Sequence, residues 1–400
     1  MKTITDIPIS GKRVLIRVDF NVPLDKQQQI LDDARINAVL PTIQYALSQS
    51  ARIILASHLG RPKGQVRMEY SLGPVAERLS QILGIEVVLA PDCVGEETRS
   101  LASDLQDGNV LLLENLRFHA AEQQNDAEFA QALAGLCDVY INDAFGVSHR
   151  ANASVEAITS FVPNAAAGLL LKKELDFFET AMQNPVRPLV AIVGGAKVSS
   201  KLAALNNMLQ HVDQIILGGA MANTFISAAG FNVGRSMIEA DLVPTAAAII
   251  EQAKNRGIQF YLPVDVVAAS QLDPQADLKK VPIQAIPPEW LAADIGPATI
   301  CLYTEVLQDV GTVIWNGPMG VFEMEPFCHG TFDLAQAVAA SRAVSIIGGG
   351  ETGSAVNQAG VADQMTYIST GGGAFLTLME GKELVAVAAL NRKSPPANQS

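Results

Sequence analysis

Short apolar runs recur from one end of this 400-residue chain to the other, and longer segments with helical spacing separate them. Residues 53–55 and 190–193, for example, are apolar at every position. Such runs are typical of strands that helices cover on both faces of a parallel sheet, whereas a half-exposed strand would alternate. Strands that alternate with helices therefore indicate the α/β class.

The apolar runs fall into two sets, which predicts two domains. The predicted strands of the first set are residues 14–20, 52–58, 87–91, 110–118 and 139–145, and those of the second are residues 189–194, 214–218, 259–267, 312–315, 343–348 and 365–369. A single core stops growing at about 250–300 residues, so this chain is long enough for two. The predicted fold is two doubly wound, Rossmann-like parallel-sheet domains joined by a hinge helix.

The segment between the two sets has the pattern of a helix. Leu171, Leu175, Phe178 and Met182 recur at helical spacing within residues 165–183, and Pro185 closes the segment. We predict a first domain over residues 1–168, an interdomain helix over 169–184 and a second domain over 185–385. The pattern leaves open an ordinary crossover helix within one large sheet.

Composition and charge exclude several kinds of protein. A net charge of −13 argues against non-specific binding of nucleic acid. No apolar run approaches the roughly 20 residues of a membrane span, and the first residues lack the apolar core of a secretory signal. The four cysteines show neither a CxxC pair nor metal-ligand spacing, which favours free thiols in a reducing compartment. We therefore expect a cytoplasmic globular enzyme.

Basic residues follow the predicted strands of the first set, at the edge where a parallel sheet binds its ligands. Guanidinium groups bind carboxylate and phosphate in a bidentate manner, so several arginines here suit a small metabolite with two anionic groups. These arginines are Arg35, Arg61, Arg117 and Arg150. Asp19 and Asn21 could hold a hydroxyl of the same molecule. Taken singly, each arginine fits a surface ion pair better, and His58, His119 and His149 fit structural histidines.

Glycine-rich turns follow the predicted strands of the second set. They are residues 194–195, 218–219, 348–350 and 371–373. Glycine lets backbone N–H groups approach phosphate oxygens, and the start of a following helix adds partial positive charge. Lys197 and Lys201, four residues apart, would share a helix face and reach a polyphosphate. One glycine pair alone would indicate only a tight turn.

Two loops leave other functions open. Residues 348–353 match GxGxxG after a strand, which favours a nicotinamide-dependent dehydrogenase, but the acidic residue expected about 20 residues later is not evident. In the loop 315–323, Glu323 could bind a ribose hydroxyl while Met319, Val321 and Phe322 flank a base; a plain turn explains that loop as well. A non-enzymatic binding protein for sugar phosphates is the other alternative.

Taken together, the motifs closely resemble those of the phosphoglycerate kinase family. The matching segments span nearly the whole chain in the family's order. They are Arg-Val-Asp-Phe-Asn-Val-Pro at 17–23, His-Leu-Gly-Arg-Pro at 58–62, Glu-Asn-Leu-Arg-Phe at 114–118, Asn-Asp-Ala-Phe-Gly at 142–146, Gly-Gly-Ala-Lys-Val at 194–198, Trp-Asn-Gly-Pro-Met-Gly at 315–320 and Thr-Gly-Gly-Gly-Ala at 370–374. The resemblance implies reversible phosphoryl transfer between 1,3-bisphosphoglycerate and ADP, which gives 3-phosphoglycerate and ATP.

The resemblance also implies roles for individual residues. In the family, the first domain binds the glycerate and the second binds the nucleotide. The implied glycerate-binding residues are Asp19, Phe20, Asn21, Arg35, His58, Leu59, Gly60, Arg61, Arg117 and Arg150. The implied nucleotide-binding residues are Gly195, Lys197, Lys201, Gly218, Gly219, Gly296, Asn316, Pro318, Glu323, Gly349, Gly350, Glu351 and Thr352. The implied catalytic residues are Arg35, Lys197, Gly350 and Gly373, and Glu351 is the implied ligand of Mg²⁺.

The resemblance implies a mode of action as well. The transfer is direct and in line, and it takes place when the hinge closes the two domains. The chain is expected to be a monomer that binds 3-phosphoglycerate or 1,3-bisphosphoglycerate together with MgATP or MgADP, and neither nucleic acid nor membrane. Residues 386–400 are expected to pack back on the first domain.

Two positions depart from the family pattern. The family normally has Asp where this chain has Glu351, and it commonly has a third glycine where this chain has Ala220. Because Mg²⁺ tolerates little distortion of its octahedron, the longer side chain of Glu351 predicts an altered dependence on Mg²⁺. The methyl group of Ala220 predicts slight crowding of the adenosine.

Overall fold

A computed structural model describes residues 1–393, with side chains to residue 392. The chain divides into two compact units. Unit 1 comprises Met1–Leu175 together with the described residues from Glu383 onward, and unit 2 comprises Asp176–Lys382. The last part of the predicted C-terminal segment, residues 394–400, lies outside the described residues.

Unit 1 is built on a six-stranded parallel sheet with the order β3-β4-β2-β1-β5-β6. Its strands are β1 (Arg13–Arg17), β2 (Arg52–Ala56), β3 (Val87–Leu89), β4 (Val110–Leu112), β5 (Val139–Asn142) and β6 (Asn164–Ala167). The helices that lie wholly within its first segment, Met1–Leu175, are α1 (Ala34–Ser48), α2 (Gly73–Leu83), α3 (Glu96–Asp104), α4 (Ala120–Gln123) and α5 (Ala127–Ala134). The central positions of β1 and β2 are fully buried, because helices cover both faces of the sheet.

The helix between the two sets begins at residue 169 as predicted, but the first residues of the helical pattern over 165–183 form strand β6 instead. Residues 164–167 pair in parallel with β5, Thr3 forms a bridge to Ala167, and the helix α6 (Leu169–Gln183) begins only after Gly168. Alanine favours helix, but this segment fills a narrow edge position beside β5, where its small side chains are buried. Such long-range pairing overrides local propensity, and no local pattern indicates it.

Unit 2 contains a second six-stranded parallel sheet and a small antiparallel one. Its strands are β7 (Leu189–Val193), β8 (Gln214–Leu217), β9 (Gln259–Tyr261), β10 (Asp265–Ala269), β11 (Leu278–Pro282), β12 (Leu291–Ile295), β13 (Thr312–Asn316), β14 (Val344–Gly348) and β15 (Tyr367–Ile368). The parallel sheet has the order β15-β14-β13-β7-β8-β9, and the antiparallel sheet has the order β11-β10-β12. The helices are α7 (Leu202–Met208), α8 (Met221–Ala228), α9 (Val243–Asn255), α10 (Pro297–Gln308), α11 (His329–Ala340), α12 (Gly350–Gln358) and α13 (Gly372–Met379).

The predicted single strand over residues 259–267 is wrong. Its first half is β9 in the parallel sheet and its second half is β10 in the antiparallel sheet. Pro263 lies between them and has no backbone N–H to offer a sheet ladder. The antiparallel sheet itself was not predicted. Its outer strand β11 is mostly exposed, so its sequence has the polar pattern of a loop.

The chain returns to unit 1 in the helix α14 (Val385–Lys393). The backbone N–H of Ala386 donates to the carbonyl of Ser148 at 3.0 Å, and the guanidinium of Arg392 lies 2.9 Å from the carboxylate of Glu156. The predicted class, α/β with two parallel-sheet domains, is confirmed. No helix in the described part of the chain is both long and apolar enough to cross a membrane.

Candidate active site

The first candidate site lies in unit 1, after the carboxyl ends of β1 and β2. The Arg35 guanidinium donates to the Asp19 carboxylate at 2.7 Å, and the Nδ1 atom of His58 lies 3.8 Å from the other carboxylate oxygen. Burial works to raise the pKa of Asp19, but the positive charges of Arg35 and Arg17 and the hydrogen bond from the Asn21 backbone hold that pKa below its ordinary value. Asp19 is therefore an anion that holds Arg35 in place.

His58 is buried and neutral. Burial, followed by the positive charges of Arg17, Arg117 and Arg35, lowers its pKa well below the ordinary value, although Asp19 opposes the shift. The Nη2 atom of Arg17 lies 3.3 Å from Nδ1 of His58. Because a guanidinium can only donate, Nδ1 accepts and Nε2 carries the hydrogen. His58 can therefore donate a hydrogen bond to a ligand, but it is not a general base.

Arg17 is a residue of this candidate site that the sequence did not single out. It is completely buried, donates from Nε to the Ser154 hydroxyl at 2.8 Å, and lies 3.9 Å from the buried carboxylate of Glu122. Glu122 in turn accepts from the backbone and hydroxyl of Ser154 and from Asn152. Arg17, itself held by Ser154 and Glu122, therefore fixes the orientation of the His58 ring through Nδ1. No local signal reveals this, since Glu122 and Ser154 lie far from Arg17 in the sequence.

Arg117 is buried and only partly paired. Its Nη1 atom donates to the Gly60 carbonyl at 2.8 Å, while its Nε atom is buried without a hydrogen-bond partner in the described part of the chain. Burial, with Arg17 and Arg150 nearby, lowers the pKa of Arg117 to about 10. The Asn21 side chain accepts from the backbone N–H of Gly60 at 2.8 Å and so fixes the same turn. An anion would satisfy the spare donor of Arg117.

The remaining predicted residues of this site differ in exposure. Arg61 and Arg150 are exposed, and Arg150 donates to Nε2 of His149 at 3.1 Å. Phe20 and Leu59 are buried, and their backbones bond to Ser57 and Asn115 respectively. Their side chains therefore serve the core. Only the backbone of these two could touch a ligand.

The second candidate site lies in unit 2, where three glycine turns pack against one another. The N–H of Gly195 donates to the Pro318 carbonyl at 2.9 Å, and the N–H of Gly219 donates to the Met319 carbonyl at 2.8 Å. Gly195 and Gly219 both have positive φ angles, of 108° and 67°. A Cβ atom on Gly219 would lie 2.5 Å from the nitrogen of Gly195. Only glycine fits, because the turns touch through their backbones.

Lys201 stands behind these turns. Its Nζ atom donates to the carbonyl and to the side-chain oxygen of Asn316, whose Nδ2 donates to the Gly348 carbonyl at 3.0 Å. Burial lowers the pKa of Lys201 to about 8, although Glu351 opposes the shift. Lys197 is exposed on the same loop, and the neighbouring Ser199 donates to the carboxylate of Glu239 through its hydroxyl and, at 2.9 Å, its backbone N–H. Glu239 thus fixes the loop that carries Lys197, a role without a sequence signal.

A cavity of about 450 Å³ opens beside these turns. Its lining combines backbone turns, apolar side chains and two carboxylates. The predicted residues among this lining are Gly195, Gly219, Pro318, Val321, Glu323 and Glu351, and Ala220 lies there too. Met319 and Phe322, which could also have flanked a base, are buried and do not line it. Unpredicted lining residues include Arg235, Met237 and Leu272. Gly296 is not among the lining residues in the described chain; it caps α10 beside Asp265.

The remaining glycine turns of unit 2 also come together. Gly349, with φ of 99°, precedes α12, and a Cβ atom on Gly372 would lie 3.0 Å from the Cα of Gly349. Gly350 and Gly373 are exposed. The Thr352 hydroxyl accepts from the N–H of Gly317 at 2.7 Å, so α12 is tied to the loop after β13. Gly218 is buried, where a Cβ would collide with Met319.

The donor chemistry of unit 2 fits a metal ion that arrives with a nucleotide. Glu351 is exposed in the first turn of α12 and lines the cavity, and a carboxylate is the oxygen ligand that Mg²⁺ prefers. In the described residues no three His, Cys, Asp or Glu ligand atoms converge at this cavity. One or two carboxylates can hold Mg²⁺ only together with substrate phosphates and water.

Comparison with known proteins gives a consistent result. A family model described as phosphoglycerate kinase matches residues 4–382. A phosphoglycerate kinase of Citrifermentans bemidjiense is 57% identical over 385 residues, which cover 96% of each chain. One of Desulforapulum autotrophicum is 55% identical over 391 residues, which cover 98% of this chain and all of the relative. The solved structure of phosphoglycerate kinase from Coxiella burnetii is 41% identical, with a TM-score of 0.87 over 98% of this chain and 99% of its own.

Proposed function

Because the chain belongs to the phosphoglycerate kinase family, we propose a division of that family's reaction between its two units. The reaction is the reversible transfer of a phosphoryl group between 1,3-bisphosphoglycerate and ADP. Unit 1 binds the glycerate and unit 2 binds the nucleotide. The family match leaves no support for a dehydrogenase or for a non-enzymatic binding protein, the two alternatives that the sequence allowed.

One observation carries the proposal for unit 1, namely the buried Nε donor of Arg117 that has no partner in the described residues. A buried donor is costly unless it is satisfied, and a phosphate or carboxylate of the glycerate would satisfy it. Arg35, Arg61 and Arg150 supply further positive charge. The Nε2 hydrogen of His58 donates to the ligand, while Asp19 and Asn21 position Arg35 and the Gly60 turn.

In unit 2, the proposed nucleotide site is the cavity beside the glycine turns. Backbone N–H groups at the start of α12 and the ammonium groups of Lys197 and Lys201 face phosphate oxygens, because glycine allows the close approach. The apolar side chains of the lining flank the base, and the carboxylate of Glu323 holds the ribose. Gly373, beside Gly350, stabilises the transferring group through its backbone.

Glu351 would hold the Mg²⁺ ion of the nucleotide. When bound, Mg²⁺ neutralises charge on the phosphates and orients them. Glu351 is the residue of this chain best suited to that contact, because it combines an exposed carboxylate with a place in the cavity lining and in the first turn of α12. Its charge also raises the pKa of Lys201, against the lowering by burial, which couples the proposed metal ligand to a buried cation.

The chemistry of the step explains the choice of residues. The leaving group of an acyl phosphate is a carboxylate, so formation of ATP needs no general base, in agreement with the neutral His58. Phosphoryl transfer depends instead on in-line positioning and on stabilisation of charge. We propose that hinge closure brings the substrates together, after which Arg35 and Lys197 stabilise the transferring group and water is excluded. We further propose a cytoplasmic monomer.

A coupled assay of ATP-dependent phosphorylation of 3-phosphoglycerate tests the function, and a pair of exposed variants tests the division. We expect Arg61→Ala to raise KM for 3-phosphoglycerate about tenfold or more, with KM for ATP unchanged, since one charge-assisted pair is lost. Lys197→Ala is expected to raise KM for ATP and to lower kcat, with KM for 3-phosphoglycerate unchanged. No turnover in the wild-type protein would refute the function. An equal effect of Arg61→Ala on both KM values would refute the division.

A further inference from the structure

Three side chains of different metal-binding chemistry converge in unit 1. The ligand atoms of Asp92, Cys93 and His119 all lie within 4.8 Å of one another. The Nε2 atom of His119 lies 2.7 Å from the Asp92 carboxylate, and the backbone N–H of Cys93 donates to the same oxygen at 2.6 Å. In the described chain this is the one group of three His, Cys, Asp or Glu residues so arranged. Neither the proposed glycerate site nor the proposed nucleotide site uses it.

The fold explains why these residues meet although they are apart in the sequence. Asp92 and Cys93 follow β3, and His119 follows β4. The two strands are parallel neighbours, so their carboxyl ends open onto the same edge of the sheet. His119 is further fixed by the Phe129 ring, whose centroid lies 5.2 Å away. Two rigid strand ends therefore set the position of the three side chains before any ligand binds.

We propose that Asp92, Cys93 and His119 form a binding site for a thiophilic divalent cation, of which Zn²⁺ is the best match. Thiolate, imidazole and carboxylate together are ligands that Zn²⁺ takes readily, whereas Mg²⁺ prefers oxygen alone. The Cys93 side chain is buried, while those of Asp92 and His119 are 44% and 31% exposed. One anchor is therefore in the core and two face solvent, which leaves the fourth tetrahedral position to a water molecule.

The spacing requires only small movements. Bonds of about 2.0–2.3 Å to a tetrahedral Zn²⁺ place neighbouring ligand atoms about 3.3–3.8 Å apart. The Asp92–His119 pair, 2.7 Å apart, must open by about 0.6 Å. Because all three ligand atoms lie within 4.8 Å of one another, the other two pairs must close by no more than about 1.5 Å. Rotation about side-chain bonds supplies shifts of this size.

Protons hold the cluster together without a metal ion, and the metal ion replaces them. The Cys93 thiol is kept protonated, because burial and then the Asp92 carboxylate raise its pKa well above the ordinary value. His119 donates from Nε2, since a carboxylate can only accept. On binding, the thiol proton leaves to solvent and the imidazole hydrogen moves to Nδ1, so Sγ and Nε2 each present a lone pair. Affinity is therefore expected to rise with pH.

Titration of the full chain with Co²⁺, in the presence of excess Mg²⁺, tests the site. Co²⁺ reports on thiolate ligation by a charge-transfer band in the near ultraviolet and on tetrahedral geometry by visible bands. We expect both to appear with a stoichiometry of one ion per chain and to disappear when Zn²⁺ is added. Zn²⁺ alone is expected to raise the unfolding midpoint of the full chain, because it binds only the folded site.

Matched variants make the result specific. Cys93→Ser should abolish the charge-transfer band, and Asp92→Asn and His119→Gln, which change partly exposed side chains, should abolish the Zn²⁺-dependent rise in the unfolding midpoint. Cys301→Ser changes the exposed thiol of α10 and Glu351→Ala changes the proposed Mg²⁺ ligand, so both should leave the spectrum unchanged. A band that persists in Cys93→Ser, or that Cys301→Ser abolishes, would overturn the proposal. So would a Zn²⁺-dependent rise that survives in both Asp92→Asn and His119→Gln.

Discussion

The two units present anion-binding groups in different ways. Unit 1 uses charged side chains that buried partners hold in place, as Asp19 holds Arg35 and Glu122 holds Arg17. Unit 2 uses backbone turns that touch one another at glycines, where a Cβ atom would collide, and the ammonium group of Lys201 donates to Asn316 beside them. The first arrangement is sensitive to changes of charge and the second to changes of volume. Variants that change one property and keep the other can therefore separate the two sites.

The largest expected effect comes from removing charge in unit 1. We expect Arg35→Ala to lower kcat on the order of 10³-fold, because a guanidinium that stabilises a transferring phosphoryl group contributes about that much. The coupled assay measures it. Arg78→Ala is the matched control, since Arg78 also pairs with an aspartate, Asp33, at 2.7 Å, but outside the site. Full activity of Arg35→Ala would contradict the conclusion that unit 1 acts through charged side chains.

The second prediction adds volume in unit 2 without changing charge. Gly219→Ala is expected to weaken ADP binding about tenfold to a hundredfold, since the new Cβ would separate two packed turns. Gly230→Ala is the control, because Gly230 also has a positive φ, of 93°, but its Cβ would meet nothing within 4 Å. Calorimetric titration measures both variants. An equal loss of ADP affinity in Gly219→Ala and Gly230→Ala would contradict the prediction. It would mean that backbone strain at a positive φ, and not the close packing of the turns, weakens binding.

The third prediction concerns pH. The pKa of Lys201 is lowered to about 8 by burial, so the free protein loses this charge as the pH rises through 8. Phosphate favours the charged form and raises the pKa again, so ADP affinity should fall by up to about tenfold per pH unit above 8. Titration calorimetry between pH 7 and 9 measures this dependence and the accompanying proton uptake. Lys201→Arg should remove the dependence; a variant that keeps it would point to another group.

A smaller effect is expected at the metal ligand. Glu351→Asp should change the Mg²⁺ concentration for half-maximal activity by about threefold to tenfold, because one methylene shifts the carboxylate against a rigid octahedron. Glu323→Asp is the control, since Glu323 lines the same cavity without a proposed role at the metal ion. Superimposable Mg²⁺ titrations for Glu351→Asp and the wild type would contradict the assignment.

The smallest effect is expected at Ala220. Ala220→Gly should tighten ADP binding by less than about threefold, because it removes one methyl group from the cavity lining. Ala196→Gly, elsewhere in that lining, is the control for added backbone freedom. Calorimetry that finds ADP affinity unchanged in Ala220→Gly would show that this methyl group does not crowd the nucleotide.

Sequence reasoning succeeded where one segment carries the whole signal. The apolar strands and the glycine turns after them are local patterns, so both parallel sheets could be predicted. It failed where distant segments decide the outcome. Residues 164–167 form a strand only because β5 lies beside them, and Arg17 finds Glu122 only in the folded unit. Cys93 and His119 likewise meet only because β3 and β4 are neighbours in the sheet.

The return of α14 to unit 1 has a consequence for the order in which the two units are completed during synthesis. Unit 2 is one unbroken stretch of chain, but unit 1 begins at Met1 and is completed only by residues after Lys382. During synthesis, all of unit 2 therefore leaves the ribosome before the helix whose Ala386 N–H bonds to Ser148. The unit that is translated first is thus the one completed last.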